Sequence, residues 1–322
     1  MKIIIPLLAI AGMLSAYTAH AQTELNTETK TTTLKPFRHL DLAVTLGSTG
    51  VGVDVASPIN KSIQVRAGFS LMPKIEPSMH FGIESGKIGD DGKWVNTKFE
   101  NMASKLEELT GYKVDNQIDM KGESNFYNFH LLVDFFPLRN KHWHLTTGFY
   151  LGPSAVAKAY NTTEDMPSLM AVGIYNNLYN KIEAGEPIMG DDFYLSPDIE
   201  DKFKEYGRMG IHVGDKVSDG QPYMMEPDGN SMVKAEIKVN RFKPYFGFGY
   251  GGALLKNDDR YNISFDCGVM IWGGKPQIIT HDGTDLAKDV TNIGGKVGDY
   301  VKAIKQFTVY PVINLRISYR LF

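Results

Sequence analysis

The strongest constraint on this chain is an apolar alternation with a period of two, which returns in one segment after another. Leu40, Leu42, Val44 and Leu46 share one face while Asp41, Ala43 and Thr45 share the other, and Ser48-Thr49-Gly50 turns the chain. Val51, Val53 and Val55 then alternate with Gly52, Asp54 and Ala56, and Ile63, Val65, Ala67, Phe69 and Leu71 with Gln64, Arg66, Gly68 and Ser70. The pattern returns from Tyr127 to Phe135, from Trp143 to Leu151, around Phe242 to Tyr250, from Tyr261 to Ile271, and from Val309 to Leu321. Side chains of a strand point alternately to opposite faces, so each segment is a strand with one apolar and one polar side.

Connection lengths decide how such strands are arranged. Taking 233–254 as one strand gives eight. The long connections at about 73–121, 161–232 and 273–305 then share one side, and the short turns at 57–61, 137–141 and 256–260 the other. Short turns at one end, long loops at the other and an even strand number describe an outer-membrane barrel. The fold expected is therefore all-β, an antiparallel up-and-down transmembrane β-barrel of about eight strands with short helices in long extracellular loops. Tyr127, Trp143, Phe242, Tyr250, Tyr261, Trp272 and Tyr319 stand near the ends of apolar stripes, where interface girdles lie. Pro244 argues for a cut or a bulge in the 233–254 stretch.

If the apolar face meets lipid, the polar face is enclosed. Asp41, Asp54, Asp134 and Asp266 then oppose Arg66, Arg241, Arg316 and Arg320, with His130 among them. An eight-stranded barrel is just wide enough to be filled by side chains, so these charges must pair. A plug of salt bridges is expected rather than an open pore.

The N-terminus fits an export signal. Lys2 is followed by a mostly apolar run from Ile3 to Leu14 and by Ala19-His20-Ala21, which places a signal peptide at 1–21 with cleavage before Gln22. Residues 22–36 read as a flexible lead-in and 37–322 as the barrel with its loops. After the leader no apolar run is long enough for a membrane helix. The single cysteine, Cys267, cannot form an internal disulfide, and a net charge of −3 with scattered basic residues gives no ground for nucleic acid.

With these segments and the ending from Ile313 to Phe322 in place, the chain resembles the small outer-membrane β-barrel proteins of Bacteroidetes type, broadly OmpA-like in architecture. The 37–73 block, the run from Lys243 to Gly251 and the last strand carry the likeness. It implies outer-membrane location, contact with outer-membrane lipid, and insertion by the barrel-assembly machinery, which reads a C-terminal signal formed here by Tyr319 and Phe322. Tyr319 and Leu321 share a phase that Phe322 does not, a departure from the usual signal.

The loops hold about half of the mature chain, far more than barrel closure needs. Phe99, Met102, Leu106 and Leu109 recur at helical spacing up to Gly111, and Leu169, Val172, Tyr175, Tyr179 and Ile182 up to Gly185. A third stripe runs from Leu286 to Ile304, interrupted at Gly294-Gly295. Three apolar helix faces need cover, and the loops themselves can supply it as a cap over the barrel mouth. Every methionine after the leader except Met270 lies between Met72 and Met232, which suits either a small irregular core or an adaptable binding surface.

Recognisable chemistry is sparse. His142 and His144 have the spacing of a strand-borne ligand pair but bring no third ligand, so no metal or other cofactor is expected. His80 or His281 with Ser78 or Ser85 are the only remote candidates for a hydrolase, and no nucleophile elbow or phosphate loop accompanies them. The function expected is a non-enzymatic barrel that displays a loop cap to an extracellular ligand or protein, for binding or adhesion, or that stiffens the envelope. The alternatives are a lipid-modifying barrel hydrolase and a narrow pore for small solutes.

Overall fold

The computed structural model describes residues 39–92, 94–97, 99–256 and 258–322. The expected leader and lead-in, 1–21 and 22–36, lie outside the described residues, as does Phe37.

Three strands open the barrel: β1 (Asp41–Gly47), β2 (Gly50–Pro58) and β3 (Ile63–Leu71). The first long connection holds β4 (Ser78–Gly82), β5 (Glu84–Ile88), β6 (Trp94–Thr97), helix α1 (Phe99–Thr110) and β7 (Gln117–Ser124). The barrel resumes with β8 (Tyr127–Phe135) and β9 (Trp143–Leu151). The second connection holds β10 (Ala155–Asn161), α2 (Met166–Ala184), α3 (Pro197–Tyr206), β11 (Arg208–Lys216), β12 (Pro222–Met225) and β13 (Lys234–Lys238). After β14 (Phe242–Leu255) and β15 (Asp258–Ile271), a third contains β16 (Gln277–Thr280), β17 (Val290–Thr291) and α4 (Gly295–Gln306), and β18 (Val309–Arg320) closes the wall.

Eight of these strands close on themselves in the order β1-β18-β15-β14-β9-β8-β3-β2, each antiparallel to its neighbours. The side chains follow the inverted pattern that hydrocarbon requires. Leu315 and Ile317 are 41% and 46% exposed on the outer wall, whereas Arg66 and Arg316 are 2% and 7% exposed inside it. Closure leaves no edge strand, so the backbone polar groups within the paired registers have a neighbouring strand on each side to bond.

The stretch at 233–254 divides, though not at Pro244. The break falls at residues 239–241. The N-terminal piece, β13, joins a cap sheet, and the barrel keeps eight strands. Pro244 pairs with Phe149 on one side, and the register with β15 begins only at Tyr245 with Met270. The residue without an N–H therefore stands where the ladder has a single neighbour.

The cap is more sheet than the sequence suggested. Five strands in the order β16-β13-β10-β7-β4 form an open sheet, and each is continuous in sequence with one of five adjacent barrel strands, β15, β14, β9, β8 and β3. Part of the barrel wall thus rises beyond the closed region as an extension. A second sheet runs β12-β11-β5-β6, with β17 paired to β11. Between them lies a core built from Ile118, Met120, Leu169, Val172, Tyr175, Met209, Ile211, Tyr223, Met225 and Ile278, among others.

The helices α1 and α2 fall where the apolar spacing placed them, and α2 stops at Gly185 in the left-handed conformation, φ 66°. The third stripe is helical only from Gly295. Leu286 and Val290 reach the same core from a turn and a short strand. The helix α3 had no place in the apolar pattern because none of its residues is fully buried, yet Pro197 at its start after Ser196 was a legible signal.

Candidate functional site

Two regions gather polar or apolar chemistry: the barrel lumen and a trough in the cap above it. In the lumen Arg66 is the hub. Its guanidinium meets Asp134 through Nε and Nη2, both at 2.9 Å, and Asp266 through Nη1 at 3.0 Å. Thr146 donates to Asp134 at 2.8 Å. Asp54 bonds His130 at 2.7 Å, Asp266 bonds His144 at 2.7 Å, and Arg316 donates to Ser264 at 3.0 Å while standing 4.0 Å from Asp266. Six of the nine residues expected in the network, Asp54, Arg66, His130, Asp134, Asp266 and Arg316, stand buried in this interior.

Asp41 and Arg320 form a separate pair at the short-turn mouth, 3.7 Å apart, and Arg320 also reaches Asp259 at 3.2 Å. Arg241 is not in the lumen. It is exposed in the bend before β14, and the buried cation of that strand is Lys243, two residues on, whose Nζ finds only Asn128 Oδ1 and the carbonyls of Pro153 and Arg241 at 3.4–3.5 Å. An alternation read without its bend places either residue inward.

Two glycines permit the imidazole pairs. A Cβ on Gly68 would overlap Asp54 Oδ1 and His130 Nε2, and one on Gly249 would overlap His144 Nε2 and Asp266 Oδ1. Neither position stands out in the sequence, because glycine–aromatic alternation is common in barrel strands.

The lumen is sealed. At the short-turn end a vestibule of about 210 Å³ opens between His39, Lys61, Lys141, His144, Arg316 and Arg320. Beyond it the interior void beside Asp54, Arg66 and Tyr245 is about 10 Å³, room for about one water. The far end is stoppered by Phe126, Leu132, Tyr150, Val156, Tyr245, Met270 and Val312, against which Ile237, Val239, Trp272 and Tyr310 pack.

Above this stopper lies a cavity of about 450 Å³, within the range of small-molecule sites. Its floor is one face of the five-stranded sheet. Gly122, Ala159 and Ala235 stand opposite one another on β7, β10 and β13, and Ser124, Ala157 and Ile237 form the next row. Small side chains on three adjacent strands leave a trough that larger residues would fill. The helix α4 supplies the facing wall with Val297, Tyr300, Val301 and Ile304. The charged residues along it are already engaged: Lys158 with Glu236 at 3.6 Å, and Glu123 with Lys74 and with Tyr160.

No protein-family model and no curated protein matches this chain. Among solved structures it is similar to CarO2 of Acinetobacter baumannii, at 12% identity and a TM-score of 0.38, over 89% of this chain and 99% of that one. CarO of the same organism follows at 12% identity and 0.37, over 89% and 98%. A major outer membrane protein from Thermus thermophilus is similar at 10% identity and 0.27, over 88% and 98%. These likenesses are remote, and the barrel rests on the chain's own strand pairing.

The residues considered for catalysis are dispersed. His80 bonds Asp119, the backbone N–H of Lys234 donates to Nδ1 of His281, and Ser85 donates to the Thr97 carbonyl at 3.1 Å. Among the described residues no hydrogen bond joins either histidine to Ser78 or Ser85. His142 and His144 are likewise separate, the first on the Gly251 carbonyl at 2.8 Å and the second on Asp266. At the C-terminus Tyr319 lies within β18, and Phe322 follows the strand, its carbonyl 3.2 Å from His39 Nδ1.

Proposed function

We propose that this chain is a non-enzymatic outer-membrane barrel whose lumen is a structural plug and whose working part is the cap, which binds a ligand at the outer face of the cell. The observation that carries this reading is the change along single strands of the wall. Phe246, Phe248 and Tyr250 of β14 are exposed and apolar, whereas β13, just before it, carries Lys234, Glu236 and Lys238. On the neighbouring wall Tyr127, Phe129, Leu131 and Phe135 of β8 give way to Lys121 and Glu123 of β7. Such a boundary is what a wall leaving hydrocarbon for water requires.

The apolar belt would contact outer-membrane lipid, and the OmpA-like resemblance extends the reading to insertion by the barrel-assembly machinery through the last strand, Tyr319 and Phe322. A sealed interior speaks against a narrow pore, and the dispersed serines and histidines against a lipid hydrolase.

Orientation is tested in intact cells with a membrane-impermeant maleimide, on a Cys267→Ser background. Ser218→Cys, in an exposed cap turn, should label, and Asn60→Cys, in a short turn, should label only after lysis. The reverse pattern would remove the cap from the cell surface and this reading with it.

A further inference from the structure

We infer that the cap trough binds one extended, uncharged aliphatic chain, an inference that rests on the cap being the ligand-binding part. Shape is the first ground. The cavity is lined from Met79 and Phe81 on β4 to Ile278 on β16, the two edges of the five-stranded sheet. Four strand spacings of about 4.8 Å make this span about 19 Å. A site that long with a volume of about 450 Å³ suits a chain better than a compact ring system.

Chemistry is the second ground. The two floor rows carry glycine, alanine and isoleucine with Ser124 as their one hydroxyl, and the facing helix adds Val297, Val301 and Ile304 beside the half-exposed Tyr300. An apolar trough of this length left to water forgoes the burial of its wall, and a hydrocarbon chain is the occupant that recovers it. Methionine side chains at Met79, Met120 and Met225 adapt to such a chain without fixing its identity.

Charge is the third. Lys158 is held by Glu236, and Glu123 by Lys74, so among the described residues lining the trough no unpaired charge selects an ionic headgroup. The selective element is the row Gly122, Ala159 and Ala235. A leucine at either alanine would occupy the space that the chain needs.

The full-length protein in lipid nanodiscs is photolabelled with a neutral hexadecyl diazirine, and the labelled peptides are mapped. The outward barrel belt, which meets lipid in every variant, is the internal standard. Label is expected on residues 117–124, 155–161 and 295–306, falling about tenfold relative to the belt in Ala159→Leu/Ala235→Leu. Ala157→Leu, in the adjoining row, is the second obstruction and should lower the cap label as well, which keeps the test decisive if the double variant does not fold. Lys158→Gln should leave the label within about twofold, because the charge takes no part.

The proposal is overturned if the cap is labelled no more than its solvent-facing loops, if obstruction leaves the label unchanged, if Lys158→Gln abolishes it, or if a compact adamantyl diazirine labels the trough equally well. A cap that maleimide reaches in intact cells but that the linear probe does not enter overturns the trough alone and leaves the surface-display reading standing.

Discussion

Arg66 and Lys243 are both buried cations, and their surroundings give them opposite consequences. Arg66 is held by Asp134 and Asp266, so Arg66→Met would leave two enclosed carboxylates without their partner and should destabilise the barrel by about 3–5 kcal/mol. Among the described residues Lys243 has no carboxylate partner, only three loose acceptors, so Lys243→Met removes an uncompensated amine from an enclosed site and should stabilise by about 1–3 kcal/mol. Urea unfolding in lipid vesicles, followed by the gel shift of the heat-modified form, reads both; equal signs would refute the distinction. The same measurement checks Gly68→Ala and Gly249→Ala. Each added methyl collides with a histidine–aspartate pair, and each should cost about 1–3 kcal/mol.

The extension of the wall is the element that ties cap to barrel. Ile237 of β13 packs against both the cap core and the stopper of the lumen, so the two regions share side chains and not only covalent connections. Within the cap, the 280–284 turn is pinned by Asp282. Burial alone would raise its carboxyl, but hydrogen bonds from Thr280, the Thr284 amide and Tyr223 outweigh burial and hold it below the ordinary 3.8. A depressed pKa contributes stability that is present above that value and lost as pH falls through the lower one. Burial pushes the partner Tyr223 phenol up to about 12, a contribution present below its ordinary 10 and lost as pH rises toward 12. Hydrogen exchange of residues 277–289, corrected for intrinsic rates, should therefore quicken at both extremes while the barrel amides remain protected. A flat profile would show that the turn does not depend on this cluster.

Asn161 and Val233 lie side by side, joined by Asn161 N–H to the Val233 carbonyl at 3.3 Å and by Val233 N–H to Asn161 Oδ1 at 2.8 Å. Replacing residues 162–232 with a short Asn-Gly turn should close β10 and β13 as a hairpin and leave an inserted, heat-modifiable barrel, since none of the removed residues belongs to its wall. Loss of insertion would show that the second connection is needed for assembly.

For the molecule as a whole, the narrow interior and the apolar stopper determine what can cross it. Reconstituted in a planar bilayer, the intact chain should show no steady ionic conductance. The hairpin variant should stay closed as well, because Phe126, Leu132, Tyr150, Val156, Tyr245, Met270 and Val312 all lie outside the removed segment. A stable open state in either would require the stopper to move.

The eight barrel strands were legible in the chain because a wall that separates hydrocarbon from a packed lumen writes its two faces into alternate residues, as Phe129 and Leu131 against His130 and Asp134, or Ile317 against Arg316 and Ser318, illustrate. The helices α1 and α2 were legible for a similar reason, each burying one stripe. The cap strands β7, β10 and β13 were not, since their faces carry alanine, glycine and paired charges rather than a strong apolar alternation, and which strands pair is decided only when the wall continues upward. Which of Arg241 and Lys243 is enclosed depended on one bend, and the trough exists only because three short strands bring Gly122, Ala159 and Ala235 into register. Local periodicity determines a strand's faces; a cavity is a relation between distant segments, and only tertiary packing creates it.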